Sequence, residues 1–550
     1  MFSSLERENT KKRMEATDLD VIIIGGGITG AGIALDAVTR GMRVALFEMQ
    51  DFSAGTSSRS TKLIHGGLRY LKQFEIGIVA ETGKERAIVY ENGPHVTTPE
   101  WMMLPFYKGG TFGPFLTNIG LRMYDFLAGV KKSERRKMLS PEEALKREPL
   151  LNAENLKGAG FYVEYKTDDA RLTIEVLKKA VDEGALALNY MEVKKLIYEN
   201  NRVVGVEVED RIDGSIHSYY AKKIINATGP WVDTIRELDD SKKGKHLRLT
   251  KGVHLVFDGK RLPLQQAIYF DTPDGRMIFA IPRDGKTYVG TTDTDYSGDI
   301  ANPKVTKEDR DYILRAIDYM FPQVAIRPKD VESSWAGLRP LIWEEGKAPS
   351  EISRKDEIFV SDSGLVSIAG GKLTGYRKMA ESIVDLVAEQ LSEEEGVSFP
   401  KTQTKNLRIS GGDVGGSAGF PRFIEEKVEV GRKLGMDEDV ARQLVQRYGS
   451  NVDVIFSMYE EESRKAEGEG NPVVRALLRY AMEYESAYKP TDFFIRRTGA
   501  LLFDIDWVHE HKDEAMTYMC EAFQWSERQK AEYAEELERE LFEAAHVLEE

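Results

Sequence analysis

The chain has 550 residues, more than one ordinary domain holds, so two to four domains with large buried cores are expected. Acidic residues (91) outnumber Lys plus Arg (76) for a net charge of −15, and no long basic tract stands out, which argues against nucleic-acid binding. Hydrophobic residues at 41% and charged residues at 30% exclude a disordered or fibrous chain, and a lone cysteine, Cys520, excludes an intrachain disulfide framework.

Met1 to Asp20 is charged and lacks an apolar core, and no run approaches the roughly 18 apolar residues of a spanning helix. The expectation is a cytoplasmic protein, or one peripheral to a membrane. Asp20 to Ile24 is a β-branched run of the kind buried on both faces of a sheet, and the glycine-rich turn Gly25 to Gly30 follows at once. Ala31 to Arg40 reads as a helix closed by Gly41, and Val44 to Glu48 as a second strand. This is G-x-G-x-x-G inside a strand-helix-strand unit. Gly25, Gly27 and Gly30 suit the tight turn, the approach of a pyrophosphate and close helix packing, the helix N-terminus stabilises the diphosphate, and Ile28 and Thr29 within the turn are expected cofactor contacts. Glu48, about twenty residues on, suits a ribose hydroxyl pair. FAD and NAD are not separated by this unit alone.

Two later returns of the same pattern favour FAD. Lys223 to Ala227 is another buried strand, ending in Thr228 and Gly229, and Val366 to Ala369 leads into Gly370-Gly371 and a helix from Tyr376 to Gln390. That second helix start offers its own N-terminus to the cofactor. The stretch Ser53 to Thr61 is crowded with hydroxyls, Ser57, Ser58 and Thr61 among them, which suits a pyrophosphate and ribityl chain or, equally, a solvated loop. Strand patterns at Val253 to Phe257 and Met277 to Ile281 predict a sheet roofing the flavin. Leu391 to Pro400 is polar, a linker, and beyond it Asp437 to Tyr448, Pro472 to Glu483 and Ser526 to Leu548 have helical spacing.

Four stretches carry a family resemblance: Ile24 to Gly41, Lys62-Leu-Ile-His65-Gly-Gly-Leu-Arg69-Tyr70-Leu, Asn226-Ala-Thr-Gly229-Pro-Trp231, and Gly370-Gly-Lys372-Leu-Thr374-Gly-Tyr376-Arg377. In order and content they resemble the FAD-dependent glycerol-3-phosphate dehydrogenases, tightly over residues 18 to 400 and loosely beyond. The resemblance implies an α/β fold: a Rossmann-like FAD-binding domain interleaved with a β-rich substrate domain, as in D-amino-acid oxidase and glutathione reductase, plus an α-helical carboxy-terminal domain. The expected boundaries are a tail at 1–17, FAD-binding segments 18–100, 160–235 and 350–395, substrate segments 101–159 and 236–349, a linker at 396–404, and the helical domain at 405–550. The implied reaction is oxidation of sn-glycerol 3-phosphate to dihydroxyacetone phosphate by hydride transfer from C2 to flavin N5, with electrons passed to a quinone. The FAD contacts it adds are His65, Gly66, Gly67, Ala227, Thr228, Gly229, Gly371, Lys372, Leu373 and Thr374.

A phosphorylated substrate needs guanidinium forks, which bind its dianion bidentately. Arg69, Arg339 and Arg354 match the family's phosphate-binding arginines, although any one of them, read alone, suits a surface ion pair. Tyr70 walls the pocket or packs in the core. Alcohol oxidation needs a proton acceptor and a cation near the developing alkoxide. His254 alternates with Val253 and Leu255 on a strand; alone it reads as a structural histidine, and the resemblance makes it the base. Lys372, beside paired glycines, supplies the cation, and His65 is the second candidate base. No metal-ligand spacing appears, and no metal is expected.

Trp101 to Val130 is rich in aromatic and aliphatic residues, including Phe115 and Leu116, and is followed by Lys131, Lys132, Arg135, Arg136 and Lys137. Such a segment suits docking at an anionic bilayer, where a quinone is reachable, or a helix packed on the sheet with a solvated basic end. A homodimer is a further expectation. Competing readings are a glycerol-3-phosphate oxidase making hydrogen peroxide, an amine-oxidising flavoprotein of the same superfamily, and a flavin-binding sensor without turnover.

Overall fold

The computed structural model describes residues 2–65, 76–110, 113, 117–122, 134–344, 356–465 and 470–547. Two sheets organise the first two thirds of the chain. In the first, Leu19–Ile24 lies between Ile216–Asn226 and Val44–Phe47, with Val366–Ala369 beyond the former and Leu186–Leu188 beyond the latter, all parallel. Leu19–Ile24 is buried along its whole length: Val21 and Ile23 pack against helices, and Ile22 and Ile24 against the strands Met191–Glu199 and Arg202–Asp210 on the other face. The predicted strand-helix-strand unit is present, its helix running Ile28–Thr39. Glu357–Val360 adds an antiparallel edge, and a hairpin of Met191–Glu199 and Arg202–Asp210 extends from Ile216–Asn226.

Among the described residues the second sheet has ten strands, and its longest pairing is that of Lys245–Asp258 with Val331–Glu344, antiparallel over nearly their full length. It takes Leu63–Ile64, Thr97–Tyr107 and Leu156–Thr167 as well. The expected FAD-binding segments 18–100 and 160–235 therefore each contribute strand to the roofing sheet. Alternation is the same in both sheets, so periodicity cannot say which one a strand joins.

Two further expectations are corrected. Residues 101–107 are not part of an amphipathic surface segment: Met102, Met103, Leu104 and Phe106 are buried in strand Thr97–Tyr107, and Trp101 stacks on Phe161. Phe115, Leu116, Lys131 and Lys132 lie outside the described residues. The tail at 1–17 is a packed helix, Arg7–Ala16, in which Arg7 and Lys11 are buried against Asp210 at 2.8 and 3.2 Å. The partner carboxylate lies some 200 positions away in sequence, so no local pattern announces the pairing.

The last helix of the flavin half runs Tyr376–Glu395 and stops at left-handed Gly396, where the linker begins. The carboxy-terminal domain is helical, with Asp437 and Ser526 acting as side-chain N-caps for the helices predicted there. One contiguous core joins these helices to the second sheet, with Phe503 packed on Tyr288 and Trp335.

Candidate active site

A cavity of about 330 Å³ runs along the carboxyl ends of four adjacent strands of the first sheet. Gly370 to Leu373 leave the first of these strands, Ala227 to Gly229 the second, Gly25 to Thr29 the third and Glu48 the fourth, and all of these stretches line the cavity. Three strand spacings of roughly 4.8 Å make this an elongated slot on the order of 14 Å across, the shape a dinucleotide needs. Parallel strands converge on this edge because each crossover returns the chain to the same starting edge.

Backbone chemistry dominates the slot. Gly25 has φ +111, and a Cβ there would meet Ala227 O at 2.6 Å, while a Cβ on Gly30 would meet Gly25 O at 1.9 Å. These positions tolerate no side chain, and the helix start at Ile28 is left with its amides directed at the slot. No side chain of its own helix caps it; Ser57 Oγ accepts from Ile28 N at 2.9 Å instead. Glu48 accepts from Gly26 N at 2.7 Å and Gln50 N at 2.8 Å, and its carboxyl is pushed up by its low-dielectric surroundings. The donor set of amides, hydroxyls and a carboxylate at the end of the second strand fits FAD: the glycine turn and the Ile28 helix start would hold the diphosphate, Glu48 a ribose, and Gly371 to Leu373 the flavin end.

Of the expected cofactor residues, Gly25, Gly27, Ile28, Thr29, Glu48, Ser57, Ala227, Thr228, Gly229, Gly371, Lys372 and Leu373 line the slot. Gly30, Ser58, Thr61, His65 and Thr374 are not among its lining residues. Ser58 O accepts from the Lys62 ammonium at 2.9 Å, and Thr374 Oγ1 donates to His65 O at 3.2 Å, tying the two flavin-end loops together. Gly66, Gly67, Arg69, Tyr70 and Arg354 lie outside the described residues. Sequence reasoning missed Met49, Gly55, Thr56, Ser60, Val193, Trp231 and Pro340 as lining residues. Trp231 stands in a motif that the resemblance had already marked, but Val193 comes from the hairpin, whose proximity no local pattern announces.

The second sheet supplies side chains. Antiparallel register pairs His254 with Trp335, Gly252 with Gly337 and Thr250 with Arg339, so imidazole, indole and guanidinium share one face. The glycine pair between them makes room: a Cβ on Gly252 would meet Arg339 Nη2 at 2.4 Å, and one on Gly337 would meet Arg59 O at 2.2 Å. The hydroxyl-rich loop can therefore lie against the sheet, where Thr56 Oγ1 donates to Leu338 O at 2.8 Å and the Trp335 indole N–H to Ser60 O at 3.2 Å. Arg339, one third exposed, donates to Thr291 Oγ1 at 2.9 Å and to Thr292 O at 3.2 Å, and pairs with Asp293 at 3.3 Å. Its neighbour Pro340 lines the slot.

His254 is buried, stacked on Trp335 with centroids 4.7 Å apart, and its Nε2 lies 3.0 Å from Thr61 Oγ1. Its pKa falls well below the usual imidazole value, first through burial and then through the Arg339 and Lys62 charges. His65 is lowered too, chiefly by burial, with Glu164 working against the Lys372 and Arg86 charges. Both imidazoles are therefore neutral at pH 7.

The slot and its roof define the class of protein, an FAD-dependent oxidoreductase: residues 20–377 match the family described as FAD dependent oxidoreductase. Residues 402–530 match the C-terminal domain of alpha-glycerophosphate oxidase. The aerobic glycerol-3-phosphate dehydrogenase of Bacillus subtilis is 62% identical over 549 residues, spanning 100% of this chain and 99% of that protein. The corresponding protein of Staphylococcus epidermidis is 59% identical over 550 residues, spanning 99% of this chain and 98% of that protein. The crystal structure of glycerol-3-phosphate dehydrogenase from Bacillus halodurans complexed with FAD superposes with a TM-score of 0.87 at 52% identity, covering 100% of both chains. The chain belongs to the FAD-dependent glycerol-3-phosphate dehydrogenase family. L-alpha-glycerophosphate oxidase from Mycoplasma pneumoniae, 19% identical with a TM-score of 0.56 over 70% of this chain and 97% of that chain, shares the fold.

Proposed function

We propose that the protein oxidises sn-glycerol 3-phosphate to dihydroxyacetone phosphate and passes the electrons to a membrane quinone. The observation that supports this reading is the shared face of the second sheet, where a guanidinium (Arg339) and a neutral imidazole (His254) stand in register, with Pro340, next to Arg339, lining the slot. FAD, when bound, supplies the two-electron acceptor for hydride from substrate C2. Arg339, fixed by Thr291 and Thr292, binds the phosphate as a planar fork, with Arg69 and Arg354 as its expected companions. The hydroxyl proton of the substrate is taken at His254 Nε2, with the Thr61 hydroxyl 3.0 Å away as the group between. Lys372 lines the slot and places positive charge where negative charge develops. The stack on Trp335 and the buried surround exclude water from the imidazole.

The test is an anaerobic titration of the yellow protein with glycerol 3-phosphate, with glycerol and NADH as controls. Bleaching by glycerol 3-phosphate alone is the expected result; an unbleached flavin overturns the reading. Re-oxidation by a soluble quinone without peroxide is expected for the acceptor, and stoichiometric peroxide in air would make it an oxidase. No helix among the described residues is long and apolar enough to cross a membrane. Attachment is therefore proposed through the basic end of the 101–137 stretch, where Arg135 and Lys137 are exposed. An Arg135→Glu, Lys137→Glu variant is expected to float less with anionic liposomes, and unchanged flotation would count against that route.

A further inference from the structure

Behind the slot, where the carboxy-terminal helices meet the loop after Val44–Phe47, lies a buried charge cluster that the reaction does not use. Asp51, 1% exposed, accepts from Arg497 Nη1 and Nη2 at 2.7 and 2.8 Å, from Arg496 Nε at 2.5 Å and from Asn189 Nδ2 at 3.0 Å. Arg496 Nη2 also reaches Asp492 at 2.9 Å, and Arg497 donates to Glu485 O. Two successive arginines thus converge on one carboxylate. They do so from a wide π-turn, Asp492–Arg497, followed by Thr498 N donating to Phe493 O at 2.9 Å. Such turns are rare and concentrate at functional sites.

The carboxylate they hold sits on the cofactor loop. Asp51 is three residues past Glu48, and Gln50 N and Gly26 N both donate to the Glu48 carboxylate. Ser53 N donates to Gly26 O at 3.0 Å, and the Phe52 ring fills the space where a Cβ of Gly26 would stand, 2.6 Å away. Residues 48 to 53 are therefore wrapped on the glycine turn, and the helical domain grips that wrap at Asp51. Burial by itself raises a carboxyl, yet the Arg497 and Arg496 charges hold Asp51 down at about 2, so the grip stays ionised at working pH. A buried ionic cluster contributes little net stability over apolar packing and is retained where it fixes a geometry.

We propose that Arg496 and Arg497 are positioning residues for FAD: by fixing Asp51 they hold Glu48 and the glycine turn in the form that receives the dinucleotide, so the carboxy-terminal domain sets cofactor affinity. The inference rests on the cofactor and not on the substrate. It is reciprocal, since whatever the grip does for FAD, bound FAD does for the grip.

The experiment measures FAD dissociation constants by flavin fluorescence on reconstitution of the full chain. Arg497→Lys keeps the charge and loses the fork, Asp51→Asn removes the carboxylate, and Ser417→Ala removes a bond elsewhere on the same domain boundary, to Glu91 at 2.6 Å. The first two are expected to weaken FAD binding at least tenfold and Ser417→Ala to leave it within twofold. Binding within twofold in Arg497→Lys and Asp51→Asn overturns the proposal, and so does an equal loss in Ser417→Ala, which would make the effect one of domain docking at large. Should the variants not fold, hydrogen exchange on the wild-type chain decides. FAD is expected to slow amide exchange across Phe493 to Thr498 at least tenfold, and exchange unchanged by FAD overturns the proposal.

Discussion

The slot and the sheet above it are built on different principles. The first sheet presents backbone: amides of the Ile28 helix, carbonyl-lined glycine turns and one carboxylate, all within a few residues of a strand end. The second sheet presents side chains, His254, Trp335 and Arg339, whose arrangement depends on the register of two strands about eighty positions apart in sequence. A backbone cradle is intolerant of any added atom but indifferent to most side-chain exchanges around it. A side-chain face tolerates small steric changes and fails when one functional group is altered.

The sharpest break of this contrast is Gly30→Ala. Its Cβ would stand 1.9 Å from Gly25 O, a backbone atom that cannot swing aside, so the protein is expected to be recovered without flavin absorbance. Next in size, His254→Gln should retain flavin while kcat falls about 10²- to 10⁴-fold, the usual worth of a positioned proton acceptor. A loss of flavin in that variant would show that the slot and that sheet are not separable. Arg339→Lys should raise KM for glycerol 3-phosphate on the order of 10- to 100-fold with flavin content unchanged, because an ammonium cannot replace the fork held by Thr291 and Thr292.

Acid exposes the buried imidazoles. His95 is pushed down to about 3 by burial and by the Arg171 and Lys178 charges, and His254 is lowered by burial and by Arg339 and Lys62. Both folded values lie below the roughly 6.5 of an unfolded imidazole, so the stability tied to their neutral forms is complete above about pH 6.5. It is lost as pH falls from there toward the folded values, at up to about 1.4 kcal/mol per unit for each group. In urea titrations, His95→Gln should flatten the acid slope in that window. An unchanged slope would place the acid sensitivity in the depressed carboxylates instead. The smallest effect is expected from Trp335→Phe, which keeps an aromatic face on His254 but loses the indole bond to Ser60 O. Its expected cost is about 0.5–1.5 kcal/mol, read from the same titrations.

Legibility followed this divide. The turn Gly25 to Gly30, Glu48, Thr228-Gly229 and Gly371 to Leu373 could be placed from sequence because each sits at a predicted strand end, and most of them do line the slot. Thr61 and His65 are not among the residues lining the slot; Thr61 meets His254 and His65 meets Thr374, contacts that spacing along the chain does not announce. Thr97–Tyr107 carries the hydrophobicity of a surface-seeking segment and spends it inside a ten-stranded sheet. Arg7 and Lys11 lie in the charged stretch expected to be a tail, and Asp210 buries them.

By itself the sequence determined the dinucleotide half of the site, because the local conformation a phosphate demands is written in contiguous glycines and β-branched runs. It also determined, through four motifs in order, the family. Only the tertiary structure decided that Gly252 and Gly337 face each other to admit Arg339 and the hydroxyl-rich loop, and that Arg496 and Arg497 close on Asp51. The physical reason is that cross-strand register is settled by partners more than eighty residues apart and the buried charge by partners more than four hundred apart, and no local window of sequence contains both members of such a pair.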